Sequence, residues 1–265
     1  MTFRLHFRIA ALMLASLAMP LAAQTAKPAA QKAAPAKPKA PAAKASPAKA
    51  PVKPRPAAPR VAGDWTRTIT VTPQGGFILG NPDAKTKLVE YMSYSCPHCA
   101  DFAKTATPEL KSGWIKRGAL SIEYRNFVRD PFDLSASLIA RCGGQGKFLA
   151  NHEAIFATYE EWIAKAEAYQ PAKDTDTVTQ LGDVADKLGF IALAGKNGIA
   201  ADAAKKCVAD PEALKTIMAL RAGAMQANPD FEGTPTFVLD GKWLSGVHAW
   251  SQLKPLLPAL PAPGK

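Results

Sequence analysis

Hydrophobic and polar positions follow two different rhythms along this chain, and each predicts an element. Residues 87–94, Lys-Leu-Val-Glu-Tyr-Met-Ser-Tyr, form a short, largely apolar run bounded upstream by Gly80-Asn-Pro-Asp-Ala84, as in a buried central strand. Directly afterwards the period changes. Phe102, Ala106, Leu110 and Trp114 recur every four residues, which predicts a helix with one apolar stripe. Ser95 is its expected N-cap, and Pro97 falls in a first turn where a missing N–H costs nothing. Pro108, inside the stripe, predicts a kink. Leu120 to Arg125 alternates as a second strand.

From about Pro131 to Asn228 the pattern is helical. Leu134–Cys142 makes one segment, and Phe148, His152, Ile155 and Phe156 mark a second amphipathic face. Asp210-Pro211 caps a third, expected to carry Leu214, Ile217, Met218 and Met225 inward. Strand signals then return at Pro235–Leu239, with a tight Asp240-Gly241 turn, Lys242–Leu244 and a closing helix from about Trp250. The order is a β-α-β half, a helical insertion over about 131–228, and a β-β-α half. That order describes an α/β protein, a thioredoxin fold with an inserted helical domain.

The N-terminal quarter is different material. Arg4 and Arg8, the apolar run Ile9–Met19 and the small residues of Pro20-Leu-Ala-Ala23 predict an export signal over residues 1–23. The apolar run is short of the roughly 20 residues of a spanning helix, so export to the periplasm is the expectation, with a retained inner-membrane anchor as the alternative. Residues 24–60 contain no aromatic and no acid, alternate Pro, Ala and Lys, and predict a disordered linker. In polyproline geometry it would reach on the order of 100 Å. The folded part is expected over residues 61–265.

The linker also explains the charge. The chain carries a formal +11, but eleven bases and no acid precede residue 61, leaving 22 bases against 22 acids in the remainder. A basic nucleic-acid-binding face therefore has no support.

All four cysteines fall in that neutral part: Cys96, Cys99, Cys142 and Cys207. Cys96 and Cys99, in Tyr-Ser-Cys-Pro-His-Cys-Ala, sit where the first strand becomes a helix. A structural zinc site would want a second closely spaced ligand pair, and haem attachment would want His after the second cysteine, where Ala100 stands. Neither a metal nor another cofactor is expected. A redox pair fits instead: a helix N-terminus stabilises a thiolate at Cys96, and the His98 imidazole can add to it. A stabilised thiolate favours the reduced form and makes the disulfide an oxidant. Cys99, one turn inside, would be the shielded resolving partner. Glu90, a carboxylate in an apolar strand, is expected to be buried with a raised pKa and to exchange a proton with Cys99.

The sequence resembles the DsbA-like thiol:disulfide oxidoreductases of the bacterial periplasm. The resemblance is carried by Cys96-Pro97-His98-Cys99, by Glu90 six residues earlier, by Gly80–Ala84, by Gly233-Thr-Pro-Thr-Phe237, and by residues 141–157. It covers essentially residues 75–260. It implies that Pro235 is a cis proline facing the cysteines, with the backbone of Thr234 offered to an extended substrate strand. It also implies reduced or unfolded exported proteins as substrates and a quinone-linked inner-membrane reoxidant of the DsbB type.

Cys142 and Cys207, at expected helix ends in the insertion, are expected to form a structural disulfide, with two free thiols as the alternative. His152, on an apolar face, reads as a satisfied core histidine, and His248 has no assigned role. Oxidase is the favoured direction. Thr234 before Pro235 keeps an isomerase or reductase open, and a non-catalytic binding or holdase module is a third reading. The linker stands where isomerase relatives carry a dimerisation domain, so a monomer is expected.

Overall fold

The computed structural model describes residues 63–260; the expected signal at 1–23 and linker at 24–60 lie outside the described residues. The strands are β1 (Ile69–Val71), β2 (Phe77–Gly80), β3 (Thr86–Met92), β4 (Leu120–Asn126), β5 (Thr236–Leu239) and β6 (Lys242–Leu244). They form one sheet in the order β1-β2-β4-β3-β5-β6. The central pair β3 and β4 is parallel and the other pairs are antiparallel.

Strand alternation divides β3 between two cores. Leu88 and Met92, on the same face as Glu90, join the main core with Phe102, Leu110, Ile122 and Phe237. Tyr91 faces the other side, in a smaller cluster with Phe127, Ala224 and Val238. The run of apolar residues in β3 is therefore a strand covered on both faces.

Between β3 and β4, α1 (Pro97–Thr105) ends before α2 (Thr107–Leu110), and a π-helical turn at Lys111–Ile115 follows. The kink expected from Pro108 is thus a break, with the proline in the first turn of α2, where it has no helical N–H to lose. The stripe survives the break, since Phe102, Ala106, Leu110 and Trp114 are all buried.

Seven helices fill the insertion: α3 (Pro131–Arg141), α4 (Phe148–Ala157), α5 (Tyr159–Glu167), α6 (Thr177–Lys187), α7 (Phe190–Lys196), α8 (Ala201–Val208) and α9 (Pro211–Ala227). Cys142, at the C-cap of α3, is disulfide-bonded to Cys207 in the last turn of α8. After β5 the chain turns through Asp240 (φ 47°) and Gly241 (φ 84°), the double positive-φ geometry that matches strand twist, and β6 leads to α10 (Trp250–Leu253) and a 3-10 turn at Lys254–Leu256.

One expectation about packing is corrected. Met218 and Met225 are 44% and 41% exposed, because the buried line of α9 is Ile217, Leu220 and Ala224 and both methionines lie one step of about 100° around from it. The hairpin β1–β2 was not anticipated; strands of three and four residues are too short to display an alternation.

Candidate active site

The segment Ser93–Ser95 leaves the end of β3 and delivers Cys96 as the N-cap of α1, with φ −87° and ψ 122°. Ser95, the expected cap, instead donates its hydroxyl to Asp130. Asp130 is itself the N-cap of α3, accepting from the Asp133 N–H at 2.8 Å. The buried Asp133 carboxylate accepts the backbone N–H of Tyr94 at 2.8 Å and of Arg129 at 3.0 Å. Two acids at the head of the insertion therefore hold the loop that positions Cys96. Burial pushes the Asp133 carboxyl up to about 7.

Both thiols are free, and Cys96 keeps 3% exposure against none for Cys99. The more accessible sulfur is the expected one, but it is a sliver of surface and not an open thiol. Cys96 is held down to about 5, chiefly by the Cys99 thiol, against the opposing effect of burial. The Thr234 side chain and the backbone N–H groups of Cys99 and His98 add to this stabilisation. These are the free donors of a helix start, aimed at a developing anion. Cys99 moves the other way: burial, then the Cys96 side chain, drive it well above the usual thiol value. The His98 imidazole is exposed and makes no hydrogen bond among the described residues, so its backbone contributes where its ring was expected to.

Opposite the pair, the Thr234–Pro235 bond is cis, and the Cys96 thiol donates to the Thr234 carbonyl at 3.0 Å. The Thr234 hydroxyl is buried without a hydrogen-bond partner, leaving a donor free for the thiolate once the Cys96 proton has gone. Glu90, on the main-core face of β3, is 3% exposed. Burial, then the charge of Cys96, pushes its carboxyl up to about 8. Pro97, Thr234, Pro235, Glu90 and both cysteines thus meet at one end of the sheet.

His152 behaves as the sequence suggests. It is buried, 2.9 Å from the Tyr94 hydroxyl through Nδ1, and burial together with Lys111 drives it down to about 3, so it is neutral. Sequence reasoning missed Asp133, the Tyr159 hydroxyl that donates to the Ser95 carbonyl at 3.4 Å, and His248, which reaches the Pro235 carbonyl at 2.8 Å. Asp130-Pro131 was a readable capping signal; the other contacts had none. Beside Pro97, an open groove of about 880 Å³ runs between α1 and the α4–α5 turn, lined in part by Ala100, Lys104, Phe156 and Tyr159.

A family model described as thioredoxin matches residues 72–259. The chain belongs to the thioredoxin family. A protein of Rickettsia bellii named as a protein-disulfide oxidoreductase is 30% identical over 169 residues, 63% of this chain and 58% of that one. A relative in Rickettsia prowazekii is 30% identical with 54% of its length covered, so the chain spans little more than half of these curated relatives. The crystal structure of a protein-disulfide isomerase from Novosphingobium aromaticivorans is 32% identical, with a TM-score of 0.63 over 68% of this chain and 93% of that one. The α-DsbA1 of Wolbachia pipientis, at 21% identity, a TM-score of 0.52 and coverage of 70% and 90%, shares the fold. The thioredoxin fold of this chain, with its inserted helices, is accordingly the DsbA-like form.

Proposed function

We propose that this protein is a thiol:disulfide oxidase that donates a Cys96–Cys99 disulfide to reduced, exported polypeptides. The observation that carries the reading is the opposed environment of the two sulfurs. Cys96, at a helix N-cap against Thr234, is stabilised as a thiolate, while Cys99 is buried and held as a thiol.

In the forward reaction a substrate thiolate attacks Cys96 Sγ, the Cys96–Cys99 bond breaks, and Cys99 leaves with the electron pair. Glu90, protonated up to about 8, supplies the proton that makes Cys99 a neutral thiol. A second substrate thiolate then attacks the substrate sulfur of the mixed disulfide, and Cys96 leaves as a stable thiolate. The substrate loses two electrons and the dithiol gains them. Thr234 and Pro235 present a strand edge beside Cys96 to the substrate backbone, and the groove beside Pro97 gives room for a polypeptide. A quinone-linked membrane partner of the DsbB type would restore the disulfide. Location in the periplasm follows from the signal reading; among the described residues no helix is long and apolar enough to cross a membrane.

A second reading has its own support. Thr234 before the cis proline, and the likeness to the protein-disulfide isomerase of Novosphingobium aromaticivorans, favour an isomerase or reductase on the same scaffold. Equilibration of the 96–99 pair against a glutathione buffer separates the oxidase from the reductase. An oxidase gives a potential nearer about −120 mV, whereas a value near about −270 mV overturns the oxidase reading.

A further inference from the structure

His248 takes no part in the dithiol chemistry, yet both of its ring nitrogens are engaged. Nδ1 lies 2.8 Å from the carbonyl oxygen of Pro235, and Nε2 lies 3.1 Å from a carboxylate oxygen of Glu232. A carbonyl oxygen only accepts, so Nδ1 carries a proton; a carboxylate only accepts, so Nε2 carries another. A neutral ring has one N–H and can satisfy one neighbour. The imidazolium satisfies both.

We propose that His248, as an imidazolium anchored by Glu232, is a positioning residue that clamps the cis-proline loop and sets the strand edge beside Cys96 for an incoming polypeptide. This rests on the oxidoreductase reading above. The carbonyl of the cis peptide and the carbonyl that follows it are each held by a different side chain. Thr234 O accepts from Cys96 at 3.0 Å, and Pro235 O accepts from the imidazolium at 2.8 Å.

The anchor is itself built. Ser245 Oγ and the Gly246 N–H each donate to the Glu232 carboxylate at 3.2 Å. Gln252 of α10 accepts the backbone N–H of His248 at 2.9 Å and donates to the Gly246 carbonyl at 3.0 Å. The β6–α10 loop is thus tied at one end to α10 and at the other to the approach of the cis proline. His248 leads the influences, followed by the Gly246 N–H and the Ser245 hydroxyl, that hold the Glu232 carboxyl below its usual range. Glu232 is the ionised side chain in contact with the ring. Directly after α10, Lys254 is paired with Glu109, and Cys96 lies beyond Thr234 at the head of α1. The two side chains are 35% and 50% exposed, so replacing either is a surface change.

The test is steady-state oxidation of a reduced two-cysteine peptide from pH 5 to 9, with excess glutathione disulfide returning the 96–99 pair to the disulfide after each turnover and kcat and KM for the peptide resolved. At the acid end His248→Ala raises KM about tenfold with little change in kcat, the scale of one charge-assisted hydrogen bond. Wild-type KM climbs toward the variant's at the alkaline end, where a ring with one N–H satisfies only one of its two neighbours. Glu232→Gln flattens that climb, because its amide N–H donates to Nε2 of the neutral ring. A wild-type KM in His248→Ala, a defect equal at every pH, or Glu232→Gln tracking His248→Ala would each overturn the clamp. ¹⁵N spectra of the ring judge it without activity: two protonated nitrogens at the acid end support it, and a single N–H beside an ionised Glu232 overturns it. Wild-type protein that exchanges with neither peptide nor glutathione rejects the oxidoreductase reading instead, and the ring spectra then decide the clamp.

Discussion

Replacing Glu90 with glutamine removes an ionisable group from the buried face of β3 and keeps the side chain's shape. In the folded protein this carboxyl titrates near 8, raised first by burial and then by the Cys96 charge, against a usual value of 4.5. The carboxyl binds its proton more tightly folded than unfolded, so its favourable contribution is full below about 4.5 and is lost as pH rises toward about 8. At pH 7 the gap from the unfolded value is about 2.5 units, which sets an upper figure of about 3–4 kcal/mol at about 1.4 kcal/mol per unit. Glutamine, neutral throughout, escapes that cost but still buries an amide, so about 2 kcal/mol of added stability at pH 7 is expected. At pH 4 the two proteins should match. Denaturant unfolding of the dithiol form at both pH values measures the difference, and the oxidised form supplies a control. Without the Cys96 thiolate the second cause is gone, so the gain should shrink on oxidation. A difference equal at pH 4 and pH 7, or no difference, would refute the reasoning. Exchange kinetics examine the other half: if Glu90→Gln leaves rates unchanged across pH, the carboxyl does not serve the Cys99 proton.

Cys99→Ala deletes the largest influence holding Cys96 down, so the Cys96 titration, followed by alkylation rate against pH, should rise by about 1–2 units. A titration still near 5 would assign the stabilisation to the backbone N–H groups and Thr234 alone. Replacing Cys142 and Cys207 together opens a loop of 65 residues and should lower stability by about 3–4 kcal/mol, read as a shift in denaturant midpoint. Because the pair ties α3 to α8 and neither cysteine is among the groups that shift Cys96 or Cys99, the glutathione equilibrium of the double variant should stay at the wild-type value.

What the sequence disclosed and what it hid differ by the range of the interactions involved. The Cys96-Pro97-His98-Cys99 segment was legible because a strand, a cap and a helix start are local patterns, and a thiolate at a helix N-terminus is local chemistry. Glu90 was legible because a carboxylate inside an apolar strand is anomalous on its own. Asp133 and His248 lacked any such mark. Asp133 acts on the backbone of Tyr94, 39 positions away, and nothing in Pro-Phe-Asp-Leu announces that partner. His248 reaches Pro235 because the β5–β6 hairpin folds the chain back, and its second partner lies 16 positions upstream. The Met218 and Met225 error has the same origin, since the periodicity of α9 gives its stripe but not which flank the sheet covers. The long-range contacts converge on two backbone segments, Ser93–Ser95 and Thr234–Pro235, that flank one sulfur. Local sequence supplied the reactive group, and distant side chains fix the backbone on either side of it. Substitutions at Asp133 or His248 should therefore alter how Cys96 meets its substrate while leaving the Cys-Pro-His-Cys motif intact.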